Sequence, residues 1–421
     1  MRGYLQSWDD KPVVVDLFSG AGGLTSGFEQ AGITVSLAID NHEDSADTYR
    51  HNHTGTLFKK VDLKKLEPAK VKDYLGKDRV DLIIGGPPCQ GFSSAGKKLL
   101  DDPRNQLVID FIRMVEELKP TCFLMENVEG MLTSGRGELL AEVVESFIEA
   151  GYTVGAAKLN AVDYGVPQFR KRVFIMGNSL GIEFEFPRAT HSEDSGSIDS
   201  RWLNFDEATS DLPEPASDED DIPYISQPTN DYQASIRNGR VFVTNHRSKR
   251  PSQIQQQRID ALPEGGTMWD LPQSLWHPSY RRRAYRRVMD GTPSQHRGGP
   301  PAGLRRLISK SPSTAITGSA GSELVHPKAN RFLTVRECAR IQSFVDNYCF
   351  FGPLSSQYWQ IGNAVPPLLA RALAFKVKAF LAGDRAKAFK GSGRWLGITG
   401  IGSSRVDPPI LRLSETYAEA R

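Results

Sequence analysis

Short unbroken apolar runs alternate, over the first 180 residues, with longer segments whose apolar positions recur at helical spacing. Val13-Val14-Val15-Asp16-Leu17-Phe18, Thr34 to Ile39, a short run ending at Val61-Asp62-Leu63, Asp81 to Ile84, Thr121 to Met125, Thr153 to Leu159 and Val173 to Met176 read as strands. Between them Leu24 to Ala31, Glu43 to His51 and Gly137 to Ala150 read as helices. A further helix ends near Leu118 and carries Leu107, Val108, Phe111, Ile112, Val115 and Leu118 on one face. Repeated strand–helix alternation predicts an α/β domain with a mostly parallel sheet over 1–180. From about Asn178 to Lys310 the alternation is lost and Pro, Ser and Asp accumulate, which predicts a smaller, irregular and β-rich domain over 181–305. Regular structure resumes near Ser313. A helix over Leu333 to Gln342 is capped by Thr334 and Glu337 in Thr-x-x-Glu spacing, and an apolar helix runs from Leu368 to Leu381, so 306–381 completes the smaller domain and returns to the first. The Gly-, Ser- and Arg-rich stretch 382–421 is expected to be loosely attached.

Composition narrows the partners. The 421 residues carry a net charge of only +2, so a nucleic acid would have to be met by a local basic surface. Arg281-Arg282-Arg283, Arg286-Arg287, Arg297, Arg305 and Arg306, interleaved with Trp276, Tyr280 and Tyr285, form such a segment, with a solvated helix face as the bland alternative. The acidic run Ser217 to Asp221 reads as a solvated loop. Four cysteines without a CxxC pair indicate neither a disulfide framework nor a zinc site. His42, His51 and His53 sit at helix ends without a fourth ligand and read as solvated surface residues, so no metal is expected. No run is long and apolar enough to cross a bilayer, and a reducing, cytoplasmic location is the expectation.

Candidate chemistry gathers where strands end. After Asp81-Leu82-Ile83-Ile84, the sequence Gly85-Gly86-Pro87-Pro88 stops ladder and helix alike, so Cys89 is presented on a loop, and a thiolate is a strong nucleophile. Ser19-Gly20-Ala21-Gly22-Gly23 makes a glycine turn from strand to helix. Asp40 follows about 20 residues later, where a Rossmann-like domain places an acid for two ribose hydroxyls; a capping role is the alternative. Glu126 and Asn127 end a buried strand at the edge where open α/β sheets keep their chemistry. Arg170 and Arg172 alternate onto one side of the next strand.

In this order and spacing the chain resembles the DNA (cytosine-5) methyltransferases of bacterial restriction–modification type. The resemblance is carried by Asp16 to Gly23, Gly86 to Ser93, Glu126-Asn127-Val128, Gln168 to Arg172, Arg331 to Phe344 and Gly362 to Pro366. It implies a Rossmann-like S-adenosylmethionine-dependent catalytic domain and a target-recognition domain in the variable middle. It also implies transfer of a methyl group to C5 of a cytosine in a specific double-stranded DNA sequence, after the base has been flipped out. By that resemblance Cys89 adds to C6, Glu126 serves the ring nitrogen N3, and Arg172 or Arg170 stabilises charge near O2 and the thiolate. Phe18, Gly20, Ala21, Gly22, Gly23, Leu24, Asp40, Asn41, Asp62, Leu63, Pro88, Leu107, Asn363, Ala364 and Val365 would hold S-adenosylmethionine. Gln90, Ser93 and Lys97 on the Cys89 loop, with Arg281, Arg283 and Arg297, would meet DNA. A monomer is expected, and a cognate restriction endonuclease would act separately. The chain departs from the family pattern at the ribose acid, where Asp40 stands in place of the usual glutamate and Asn41-His42 in place of an aromatic.

Three other classes are weighed. A dehydrogenase of the same fold is disfavoured because the first loop lacks G-x-G-x-x-G spacing and has no use for Pro-Pro-Cys. An RNA cytosine-5 methyltransferase could use Cys122 of Thr121-Cys122, but that residue precedes Phe123-Leu124-Met125 and is expected to point into the sheet. A non-catalytic DNA-binding relative would not need Cys89, Glu126, Arg170 and Arg172 together.

Overall fold

The computed structural model describes residues 11–88, 102–194, 200–215, 221–285, 303–382, 393–400 and 408–417. The chain divides into two compact units: Met1–Tyr164, Lys171–Thr190 and Val365–Arg421 form one, and Gly165–Arg170 with His191–Ala364 the other. The expected boundaries at 180 and 305 therefore shift. The chain enters the second unit briefly at Gly165–Arg170, enters it again at His191 and leaves it at Val365, so 306–364 belongs wholly to the second unit.

The first unit is built on an eight-stranded sheet. Its strands are β1 (Val14–Leu17), β2 (Leu37–Asp40), β3 (Leu57–Lys60), β4 (Leu82–Gly85), β5 (Cys122–Val128), β6 (Thr153–Asn160), β7 (Lys171–Asn178) and β8 (Arg394–Thr399). They lie in the order β8-β6-β7-β5-β4-β1-β2-β3, and only β7 runs antiparallel to its neighbours. Packed around the sheet are α1 (Gly23–Gln30), α2 (Glu43–Asn52), α3 (Pro68–Leu75), α4 (Gln106–Leu118), α5 (Glu138–Glu149), α6 (Pro367–Leu381) and α7 (Pro408–Tyr417). The core is apolar on both faces: Val15, Ile83, Phe123 and Val173 are buried on one and Val14, Leu82, Leu124 and Phe174 on the other, as the unbroken runs require of strands covered by helices on either side. Gly27 lets α1 touch α6 backbone to backbone, because a Cβ there would lie 2.4 Å from the Ala370 Cβ and 2.5 Å from the Pro367 carbonyl oxygen.

The stretch 382–421 departs from expectation. Its described residues are part of the core: β8 adds a parallel strand beside β6, and Trp395, Ile410 and Leu413 join the same apolar cluster as β5 and α5. Glycine makes the docking possible, since a Cβ on Gly393 would fall 1.9 Å from the Ile148 carbonyl oxygen. Burial of Trp395 and the α7 face supplies the attachment that a Gly/Ser-rich composition concealed.

In the second unit the described strands are two-residue pairs, among them Ile222–Pro223 with Phe242–Val243 and Gln168–Phe169 with Ser313–Thr314, and short helices predominate. The expected β-rich character is thus absent from the described residues. Its order comes from buried polar anchors instead. The helix Val335–Ile341 carries the expected capping box of Thr334 and Glu337. On that helix Arg340 is fully buried between Asp211 and Asp346, with its Nη2 2.7 Å from an Asp346 oxygen, and Arg237 reaches Asp211 at 2.6 Å. Paired and hydrogen-bonded on all sides, these charges fix one arrangement of a region with little regular ladder.

Candidate active site

The parallel strands β1, β2, β4 and β5 end at a common edge, and the glycine turn, Asp40 and Glu126 are all found there. After β1 the chain turns sharply. Phe18, Gly20 and Gly22 have φ of 59°, 51° and 87°, and the left-handed value at Phe18 is an uncommon and costly state for a side-chain-bearing residue. Asp40 at the end of β2 secures the turn: its Oδ2 accepts a bond from the Gly20 N–H at 2.8 Å while its Oδ1 accepts one from the His42 N–H at 2.8 Å. Each carboxylate oxygen keeps a second lone pair, enough for a pair of vicinal hydroxyls. A Cβ on Gly20 would meet nothing within 4 Å, so open space borders the turn. Phe18 is half-buried against the core, Ala21 and Leu24 are buried, and Asn41 is exposed. Asp62 follows β3 and caps a short helical turn through the Lys64 N–H at 3.1 Å, with Leu63 buried beside it; Leu107 is half-buried on α4. This donor set, a carboxylate beside a left-handed glycine turn with a second carboxylate one strand further on, fits the ribose and base of an adenosyl group.

The other half of the edge carries an ion pair. Glu126 of β5 lies in register with Phe174 of β7, which places Arg172 at the diagonal position on the same face. The Arg172 Nε sits 2.9 Å from Glu126 Oε1, and both side chains are largely buried, 18% and 12% exposed. A low local dielectric strengthens such a pair. Gly86 makes room for it, because a Cβ at that position would come within 2.9 Å of Glu126 Oε2. Asn127, next along β5, donates from Nδ2 to the Pro87 carbonyl at 3.0 Å and thereby ties the start of the Pro87-Pro88 loop to the same strand end. Nothing in the sequence pattern had singled out that anchor; an amide next to a strand-end acid was the available signal.

Arg170 and Arg172 separate. β7 begins at Lys171, and Arg170 belongs to the second unit, where its guanidinium is 2% exposed. It donates to the carbonyls of Ile316 (2.8 Å), Gly362 (2.8 Å) and Ala364 (3.1 Å). The expectation that both arginines share one strand face fails because the strand is interrupted between them. The same loop is held by Gln342, whose Nε2 donates to the Ile361 and Ala364 carbonyls at 2.6 and 3.2 Å. Asn363 is exposed there, and Ala364 and Val365 are buried. Arg281 and Arg283 are exposed on the helix Pro278–Ala284. Cys89, Gln90, Ser93, Lys97 and Arg297 lie outside the described residues; Pro88, the last described residue before them, is exposed. Cys122 is buried inside the sheet, as expected of a residue at the start of β5. His53 departs from expectation: it is 3% exposed and hydrogen-bonded through Nδ1 to Glu29 Oε2 at 2.8 Å, a helix-to-helix tie.

A sheet of this order, with a glycine turn and two carboxylates at one end of its carboxyl edge and a largely buried ion pair at the other, is that of a Rossmann-like, S-adenosylmethionine-dependent methyltransferase. The model of the C-5 cytosine-specific DNA methylase family matches residues 13–379, and the chain belongs to that family. It is an enzyme that transfers a methyl group from S-adenosylmethionine to C5 of cytosine in DNA. The type II methyltransferase M.AgeI of Thalassovita gelatinovora is 35% identical, over 86% of this chain and 98% of its own length. M.DdeI of Desulfomicrobium norvegicum is 37% identical, over 86% and 88%. Among solved structures, a prophage-encoded Escherichia coli protein assigned as a DNA modification methyltransferase superposes with a TM-score of 0.65 at 25% identity, covering 89% of this chain and all of its own. No described helix is long and apolar enough to cross a membrane.

Proposed function

We propose that the chain modifies one cytosine within a specific double-stranded DNA sequence by covalent catalysis on an extruded base. Cytosine C5 is a weak nucleophile, and addition of the Cys89 thiolate at C6 would move electron density onto it. The negative charge that accumulates on N3 and O2 falls to Glu126, which holds a proton at N3, and to Arg172, which holds Glu126 in place and lends its positive charge. S-adenosylmethionine, held by the Phe18–Leu24 turn, Asp40, Asp62 and Leu63, supplies an electrophilic methyl group. Loss of the C5 proton and expulsion of Cys89 then restore aromaticity and the free enzyme. A base inside a stacked duplex exposes neither face of C5–C6 to these groups, so extrusion is required.

The observation that carries this reading is the Glu126–Arg172 pair on the strand edge to which Asn127 ties Pro87, two positions before Cys89 in the sequence. Arg170 is assigned a different part from Arg172: it positions the 362–364 backbone, and Asn363 to Val365 remain cofactor contacts in this proposal. The second unit serves target recognition, with Arg281 and Arg283 for DNA contact. The chain acts as a monomer beside a separate restriction endonuclease. The test is covalent trapping on duplex DNA containing 5-fluorocytosine. Wild type forms a denaturation-resistant adduct at Cys89, whereas Cys89→Ser forms none and still binds S-adenosylmethionine. An adduct at Cys122, or trapping on RNA in preference to DNA, overturns the reading.

A further inference from the structure

Directly behind the cofactor turn, three side chains from three elements form a buried polar chain that the mechanism does not use. Asp16 in β1 is fully buried; its Oδ2 accepts a bond from Thr25 Oγ1 of α1 at 2.6 Å. Thr25 Oγ1 in turn lies 2.7 Å from the hydroxyl of Tyr49 on α2, and both residues are fully buried. The second oxygen of Asp16, also buried, has no hydrogen-bond partner among the described residues. A buried carboxylate with one bare oxygen is costly, and a neutral carboxylic acid is the cheaper species.

We infer that Asp16 is a positioning residue for the cofactor turn: as a neutral carboxylic acid it joins β1, the first turn of α1 and α2 through Thr25 and Tyr49, and its ionisation loosens the turn and weakens cofactor binding. The segment it holds, Phe18 to Gly22, carries the left-handed residues and the Gly20 N–H that Asp40 binds, and strained backbone persists only where its surroundings over-determine it. The charged groups acting on Asp16 are Asp40 of β2 and Glu29 of α1, both acids, and α2 presents the Tyr49 hydroxyl through Thr25. Burial, opposed by the Thr25 hydrogen bond and reinforced by those two acids, pushes the Asp16 pKa up to about 8. A negative charge at Asp16 would thus appear in the core next to the Asp40 carboxyl group that holds the Gly20 N–H. The folded state keeps this proton where the unfolded chain has lost it, so the site's contribution to stability falls as pH rises from about 4 toward 8.

The inference rests on the assignment of the Phe18–Gly23 turn and Asp40 to S-adenosylmethionine, and the experiment separates the two. Equilibrium binding of S-adenosylmethionine to the DNA-free enzyme, in which Cys89 chemistry plays no part, is followed from about pH 6 to 9.5. Wild type loses affinity roughly fifteenfold between about pH 8 and 9.5, the loss that one ionisation near pH 8 brings over that span if only the neutral form binds well. Asp16→Asn removes that alkaline loss, Thr25→Val weakens binding several-fold at every pH, and Thr25→Ser restores it. In the ligand-free protein, infrared difference spectra show a protonated-carboxyl band that disappears through about pH 8 in wild type and is missing in Asp16→Asn. An identical alkaline limb in wild type and Asp16→Asn, or no such band, overturns the inference. Should Asp40→Ala bind the cofactor as wild type does, the site assignment itself fails, whichever way Asp16 behaves.

Discussion

Replacing Glu126 by Gln tests the centre of the proposed chemistry with the least disturbance of shape. The amide occupies the same volume beside Gly86 and can still accept a bond from Arg172, whose Nε lies 2.9 Å away, but it has neither the charge nor an acidic proton to transfer. Truncation to Ala would add the separate penalty of a largely buried, unpaired guanidinium, which the amide avoids. If Glu126 holds the proton at N3, its loss should cost a general-acid contribution of about 10² to 10⁴ in rate, or roughly 3 to 5.5 kcal/mol of barrier. The assay is single-turnover methyl transfer at saturating S-adenosylmethionine, with the rate of adduct formation on 5-fluorocytosine DNA measured beside it. Both rates fall together in the expected outcome, because protonation at N3 assists thiolate addition, while cofactor affinity stays within about threefold of wild type. Adduct formation at the wild-type rate with only methyl transfer impaired would refute the reasoning, since Glu126 would then act after addition.

Three further outcomes follow from the geometry. Gly86→Ala places a methyl 2.9 Å from Glu126 Oε2 and displaces the carboxylate from Arg172, so turnover should fall at least tenfold with less than about 1 kcal/mol lost in urea unfolding. Trp395→Ala opens the core under β8 and should cost about 3 to 5 kcal/mol, seen as a lower urea midpoint for the first unit; an unchanged midpoint would deny that 394–399 is part of the folded sheet. Burial alone would raise the Glu337 carboxyl, but the bidentate Arg331 pair at 2.7 and 2.9 Å, with His326 and His246, holds it at about 2. Its stabilisation is complete above about pH 4.5 and is lost as pH falls toward 2. Glu337→Gln should therefore flatten the acid limb of the melting temperature between those values.

Much of the first unit was legible because its strands are short, doubly covered apolar runs punctuated by glycine and proline, and local pattern is decisive for such elements. Asp40, Glu126 and Arg172 could be placed on one edge by noting which residues end which strands. Arg170 could not be placed. Its separation from Arg172 depends on a strand that starts one residue later and on carbonyls more than 140 positions distant, which no local period encodes. Trp395 and Ile398 were visible as apolar residues, yet the glycines around them read as looseness, when Gly393 is the residue that lets the strand come close. The second unit reads as β-rich in sequence for a related reason: buried pairs such as Arg340 with Asp346 replace ladders there, and charged residues in a sequence look like surface.

The close meeting of Gly27 with Ala370 has a consequence for how the molecule is made. Some 340 residues separate the two, so on a ribosome adding 5 to 20 residues per second the first helix waits roughly 20 to 70 s for its partner. The β8 strand arrives later still, which leaves the flank of β6 uncovered until Arg394–Thr399 has been made. A nascent chain therefore carries the Phe18–Gly23 turn and Asp40 long before α6 exists to pack on the helix that follows that turn.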